Sequence, residues 1–260
     1  MNITSNTTRV KEAVFHSMFT RMFVRWGANN PLRTKLHASS LIVSASEWCE
    51  REHVLLDAYP EDAEPTEQYS SAHLNAIFVH GWSLHEKWQN LFKRYGRVVY
   101  RGFEPCLDLT HYHEQYDLRY SPDAIIEDHQ GKWYPVEIKG INHDEYQAAC
   151  ALPLEQAVLH SETVKKARVQ VILYMHLLNL QEGLILAEDK NTQQFRVWWL
   201  QYDQSLIQEY LDRLSSLADA KKSLATFGTL PERKCGEFDS PRAKRCPMRT
   251  LCFSNRRLEQ

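Results

Sequence analysis

The chain has 260 residues, 43% of them apolar and 25% charged, with a formal net charge of −2 at pH 7. That composition suits a soluble globular protein with material for one large α/β domain or two small ones, and it gives no global case for binding a polyanion. No apolar run approaches the roughly 18 residues of a membrane span. Arg21 and Arg25 interrupt residues 19–26, where a signal peptide would be continuously apolar, so a cytoplasmic protein is expected. Six cysteines in a reducing compartment read as metal ligands more readily than as disulfides.

Residues 1–8 are polar and expected to fray. Over residues 10–26 the apolar side chains Val10, Val14, Met18, Met22 and Trp26 recur at helical spacing, which predicts a helix packed on the body. Residues 41–56 read as a second helix, capped by Ser44 or Ser46, with Cys49 one turn inside, where a lone cysteine is ordinarily core filler. Residues 57–72, rich in Asp, Glu, Pro and Ser, read as a loop. A long helix follows over 74–95, with Phe78, Trp82, His85, Trp88 and Phe92 along one face. Within that stripe His85 is either a satisfied core histidine or a metal ligand. Residues 97–109 suggest a strand or two. They lead into His111 and His113, which read as a polar loop because no acid follows at a spacing that would complete a metal site.

The most informative stretch is 122–139. Pro122 and Asp123, the apolar run 124–126, a polar turn over 128–132 and the run 133–139 predict two short strands joined by a glycine-containing turn. Such a hairpin brings Asp123, Glu137 and Lys139 together. Alternation along a strand puts Glu137 and Lys139 on one face and Ile138 on the other. Two carboxylates can hold a hard divalent cation through oxygen, and such a cation polarises a phosphodiester and acidifies a bound water. A neighbouring lysine places a compact positive charge at the attacking water or the developing phosphorane. An acid-x-Lys pattern also occurs on solvated edge strands.

Residues 141–164 read as a flexible connection or short helices. In the helix predicted over 165–180, Gln170 and Tyr174 lie four apart on one face, a pair that either hydrogen-bonds in the core or touches a ligand. Residues 183–188 and 194–200 form a predicted hairpin, and 203–226 an amphipathic helix. The tail places Cys235, Cys246 and Cys252 in a segment too polar for a core of its own, for which metal cross-linking is one explanation and unpaired surface thiols the other. Residues 231–260 also hold eight Lys or Arg against four acids, a local basic patch.

Pro122-Asp123, thirteen residues, then Glu137-Ile138-Lys139 resembles the core of the PD-(D/E)XK nuclease superfamily. From about residue 41 to 252 the order of elements is similar to that of RecB-like exonucleases with an iron–sulfur cluster, among them the CRISPR-associated exonucleases and phage relatives. That resemblance implies an α/β (α+β) fold with a restriction-endonuclease-like mixed central sheet flanked by helices. It further implies a nuclease core over 74–202, and a helical iron–sulfur subdomain from 1–57 plus 203–260 that completes a single nuclease domain. His85, Asp123, Glu137 and the Ile138 carbonyl would bind Mg²⁺ or Mn²⁺, Lys139 would position water, and Gln170 and Tyr174 would contact DNA or brace the site. Cys49, Cys235, Cys246 and Cys252 would hold a [4Fe-4S] cluster. The gap between Cys235 and Cys246 is longer than in the family, which keeps Zn²⁺ open as the occupant. Cys106 and Cys150 have no counterpart and read as structural. The family's activity implies exonuclease action on single-stranded DNA, commonly from 5′ ends, with the basic tail tracking phosphates; oligomers and other DNA-processing partners are open. The contrasting reading is a non-catalytic DNA-binding or complex-forming module on a nuclease scaffold.

Overall fold

The computed structural model describes residues 3–28, 34–64, 71–95, 98–101 and 110–254. Helices α1 (Ile3–Ala28), α2 (Ala38–Leu41), α3 (Glu50–Ala58) and α4 (Ala72–Tyr95) precede strands β1 (Val98–Arg101), β2 (His111–His113), β3 (Leu118–Tyr120), β4 (Ala124–Glu127) and β5 (Trp133–Ile141). Helices α5 (His143–Ala149), α6 (Leu154–His160) and α7 (Glu162–Leu178) lead to β6 (Glu182–Asp189), β7 (Phe195–Gln201), α8 (Gln208–Phe227) and α9 (Arg249–Phe253).

Five strands form one sheet in the order β1-β4-β5-β6-β7, antiparallel except for the parallel pair β5 and β6. This is the mixed sheet flanked by helices that the resemblance implies. A parallel neighbour requires a crossover connection, and α5 to α7 supply it, so residues 141–164 are largely short helices. On one face α4 buries Leu84 against Val136, Ile138 and Leu186. On the other, α7 packs Val171 and Met175 into the main core with Ile185 and Ala187. Cover on both faces suits the apolar residues of β5, among which Glu137 and Lys139 are the charged exceptions. Helix α7 crosses so closely that a Cβ at Gly183 would meet Val171 Cγ1 at 2.5 Å and Met175 Sδ at 3.2 Å. Helix α7 is capped by Ser161, whose hydroxyl oxygen accepts the Val164 N–H at 3.0 Å.

The turn of the β4–β5 hairpin is built by Asp128, whose Oδ1 accepts the N–H groups of Gln130 (2.8 Å) and Lys132 (2.9 Å). Gly131 takes the left-handed conformation that the turn needs, with φ +82°.

Several expectations change. Residues 41–56 are not one helix: the Ser44 N–H and hydroxyl close a turn on the Glu47 carboxylate (3.3 and 2.9 Å), and α3 starts at Glu50 with Cys49 as its N-cap. The Arg242 guanidinium donates to the carbonyls of Ser46, Glu47 and Trp48, which a continuous helix would use to accept the N–H groups of residues 50–52. His111 and His113 lie on β2, paired antiparallel with β3, rather than in a loop. Their rings stack on Tyr120 and Tyr116. The loop expected over 57–72 includes the end of α3 and a 3-10 turn at Pro60–Asp62. Cys106 and most of the strand expected over 97–109 lie outside the described residues. Helix α1 packs along α4, with Asn75 Nδ2 donating to the Phe23 carbonyl at 3.0 Å, yet Val14, Phe15, Met18, Phe19 and Met22 stay 44–60% exposed. Among the described residues no helix is long and apolar enough to cross a membrane.

Candidate active site

Asp123 stands just before β4, opposite the point where β5 runs on past its partner, the last paired residues being Ala124 and Val136. Its Oδ2 accepts the Ile138 N–H at 2.7 Å, and its Oδ1 lies 3.1 Å from His85 Nδ1 on α4. The N–H and C=O of one strand residue point the same way, so the Ile138 carbonyl also faces the Asp123 side.

Alternation sends Glu137 and Lys139 to the α7 face. There the Lys139 ammonium donates to Glu137 Oε1 and, at 3.4 Å, to Gln170 Oε1. The Gln170 amide donates to the Tyr174 hydroxyl at 2.6 Å, and that hydroxyl donates to the Ser121 carbonyl at 3.2 Å, two residues before Asp123. The Gln170–Tyr174 pair therefore braces the lysine and the entry to β4, and the fully buried Tyr174 ring fixes the brace.

Gln89 was not singled out from the sequence. It is buried one turn beyond His85 on α4, and its Nε2 donates to the Asp123 carbonyl at 2.7 Å. Helix α4 thus grips Asp123 by both side chain and backbone. Its own position is fixed by Glu188 of β6, which accepts from Lys87 and from Trp88 Nε1 (2.6 Å). The available signal was an amide four residues after the histidine and on the same apolar stripe, off which the neighbouring Asn90 lies.

The electrostatics are those of two carboxylates forced close together. Burial first, and then the Asp123 charge, push the Glu137 carboxyl up to about 7 against the pull of Lys139 and His85. Burial also opposes ionisation of Asp123, but the His85 charge and hydrogen bond, Lys139 and the Ile138 N–H outweigh it and hold its pKa below the usual range. Burial would lower the Lys139 pKa; Glu137 and Asp123 raise it instead. Among the described residues no three His, Cys, Asp or Glu side chains already form a metal cage: His85 holds Asp123, and Lys139 holds Glu137. The donor set nevertheless fits a hard cation, because Glu137 Oε2 is buried without a hydrogen-bond partner beside a second carboxylate.

The cysteines make a second polar cluster. Cys49, Cys150, Cys235, Cys246 and Cys252 are free thiols. Burial pushes the Cys246 thiol up, and Glu52, Cys49 and Cys235 add to the shift; burial likewise raises Cys49 and Cys235, with Cys235 acting on Cys49 and Cys252 on Cys235. Cys49, Cys235 and Cys246 thus lie near one another and Cys252 near Cys235, although among the described residues no three of them already form a metal cage. Arg51 Nε donates to Cys252 Sγ at 3.2 Å, and Arg242 lowers both Cys49 and Cys235. Soft sulfur donors beside guanidinium groups fit an anionic metal–thiolate centre. Cys150 sits apart in the main core, where burial raises it to about 12, as suits a structural thiol. Three tail arginines are committed to the fold. Besides Arg242, Arg233 donates to the Cys252 carbonyl (2.9 Å), and Arg249 to the Phe238 carbonyl (2.9 Å) and Asp239 (2.6 Å).

No protein-family model and no curated protein sequence matches the chain. Similar solved structures include an alkaline exonuclease, LHK-Exo, from Laribacter hongkongensis, 15% identical with a TM-score of 0.45 over 73% of this chain and 89% of that one. A phage related exonuclease from Haemophilus somnus 129PT is 14% identical, TM-score 0.43, over 78% and 100%. SSO0001 is 15% identical, TM-score 0.41, over 92% and 96%. At these values the likeness is one of outline, and the chemistry of the site is read from its own side chains.

Proposed function

We propose that the chain is a metal-dependent deoxyribonuclease acting on DNA ends. One observation carries the reading: Glu137, buried and short of a partner at Oε2, is pressed against Asp123 on one side and Lys139 on the other. A site that keeps two repelling carboxylates and a buried lysine stores electrostatic cost, and a divalent cation between the acids would relieve it. His85, Asp123, Glu137 and the Ile138 carbonyl would hold Mg²⁺ or Mn²⁺, which when bound polarises the scissile phosphate and acidifies water. Lys139, freed from Glu137 by that cation, would orient the attacking water and offset charge on the phosphorane. Gln170 and Tyr174 hold the lysine to this line. Asp123 keeps its charge through the Ile138 N–H and His85.

The cysteines would hold a [4Fe-4S] cluster that clips the tail to α3, with Zn²⁺ as the alternative occupant. Four thiolates suit either, and folding of the tail would be linked to occupancy. Polarity from 5′ single-stranded ends is the expectation carried from the sequence resemblance.

Digestion of 5′- and 3′-end-labelled single-stranded DNA with Mn²⁺ tests the chemistry. Wild type should degrade it and Lys139→Ala and Glu137→Ala should not; equal degradation by all three would sink the assignment. Protein purified without oxygen should be brown, absorbing near ~400 nm; a colourless preparation with stoichiometric zinc replaces the cluster by Zn²⁺.

A further inference from the structure

Helix α1 leaves an apolar face open that no described element covers. With 3.6 residues per turn, Val14, Phe15, Met18, Phe19 and Met22 form a wide exposed band. Exposed Arg25 lies beside Val14 and Met18, and exposed Arg21, whose guanidinium donates to the Ser17 carbonyl and hydroxyl, borders the band on the edge away from Phe19. The sole acid of the helix is Glu12, against Arg9, Lys11, Arg21 and Arg25, although the whole chain is slightly negative. Phe15 and Phe19 stack on one another with centroids 6.5 Å apart. On α4, against which α1 packs, Ile77 and Phe78 are also exposed (43% and 47%), and Gly81 and then His85 follow at helical steps on the same side. Gly81 lies inside a 24-residue helix, where glycine weakens the helix, yet a Cβ there would meet nothing within 4 Å. Among the described residues no contact requires that glycine. A flat ligand lying against the helix backbone would.

We propose that the exposed face of α1 and the first half of α4 form a platform for single-stranded DNA leading to His85. The proposal rests on the nuclease reading of the Asp123 site and names the surface by which that site receives its strand. Aromatic side chains stack on bases of any sequence, and arginines along one edge of the band would meet the phosphates. A second copy of this chain suits the face less well, because the helix carries four basic residues against one acid and two copies would meet like charge with like.

The test uses the full chain carrying Glu137→Gln, so that DNA is bound and not cut, with fluorescence anisotropy of a labelled twenty-nucleotide oligothymidylate. Adding Phe15→Ser with Phe19→Ser should raise Kd by about tenfold or more. Arg21→Gln with Arg25→Gln should reduce the slope of log Kd against log salt by about 1.4, two single-strand phosphate contacts. Thermal unfolding should match the parent in both cases, since these side chains are exposed. Unchanged affinity and unchanged salt slope overturn the platform. So does a concentration-dependent doubling of mass that the Phe15/Phe19 change abolishes while DNA affinity stays put, because the face then belongs to a second copy. If wild type leaves labelled DNA intact but the Phe15/Phe19 change still weakens binding, the nuclease reading fails and the platform stands.

Discussion

Asp123, Glu137 and Lys139 are fixed by paired strands of a five-stranded sheet with helices on both faces. Cys49, Cys235, Cys246 and Cys252 sit instead on a helix cap, a loop and a five-residue helix, over a small cluster of Leu55, Leu56, Met248, Leu251 and Cys252. The first group is held by a fold that would exist without it, and it charges that fold with a buried repulsion. The second group sits where the tail is held by a small cluster and by arginines, Arg242 on the carbonyls of Ser46, Glu47 and Trp48 and Arg51 on the Pro231 carbonyl, and a metal among its thiols would add a further cross-link. The proposed chemistry lies where the sheet over-determines its residues, and the proposed cross-link where the packing is lighter.

Four measurements would break or sharpen that contrast. The largest effect belongs to the sheet site: Glu137→Gln should cut nuclease activity by about 10³-fold, comparable with removing a preorganised electrostatic group, while the melting temperature holds or rises because a buried repulsion with Asp123 is gone. A parallel fall in stability would mean that the site supports the fold after all. At the cysteine cluster the expectation reverses. Cys246→Ser should release bound metal, expose residues 228–248 to limited proteolysis and lower the melting temperature, with a stability loss of roughly 3 kcal/mol; an intact, protease-resistant tail would sink the cross-link.

Smaller in effect, Gly183→Ala should cost roughly 1–3 kcal/mol in a urea titration by overpacking α7 against β6, with Val171 Cγ1 only 2.5 Å from the new methyl. A neutral outcome would show that α7 can shift without disturbing the sheet. The smallest effect is in pH. Burial first, and then the Lys221 charge, depress His53 of α3 from 6.5 to about 4. Below about 6.5 the unfolded chain takes a proton that the fold refuses until about 4, so His53 should remove on the order of 2 kcal/mol across that window as pH falls. Glu137, raised in the fold, works the other way: the native state holds the extra proton, and stability declines as pH rises through its titration. Unfolding of wild type and His53→Gln at several pH values isolates the first contribution; parallel curves would show that His53 is not buried as neutral imidazole.

What the sequence could disclose follows from the range of the interactions. The 122–139 hairpin, α4, α7, the β6–β7 pair and α8 were legible because each buries a regular stripe or alternation within itself. The convergence of Asp123, Glu137 and Lys139 followed from that hairpin alone. The helix drawn over 41–56 failed because its periodicity competes with an arginine 195 residues away, which no local pattern reveals. His111 and His113 were missed as a strand because three residues are too few to show alternation. Gln89 was legible in principle: an amide one turn past His85 has few reasons to be buried except a backbone to hold. Helix α1 misled in the opposite sense, since helical spacing of apolar residues marks a sticky face without saying that this protein's own core takes it.

The clasp of Arg242 on the carbonyls of Ser46, Glu47 and Trp48 also sets an order of events during synthesis. While the chain is still being translated, β4 through β7 can pair and α7 can settle on them, but the segment before α3 must wait for almost the whole polypeptide to leave the ribosome. Until then Cys49 is an open thiol next to an unclosed turn, and any chain stopped short of residue 242 would carry a finished sheet with an unsecured front end.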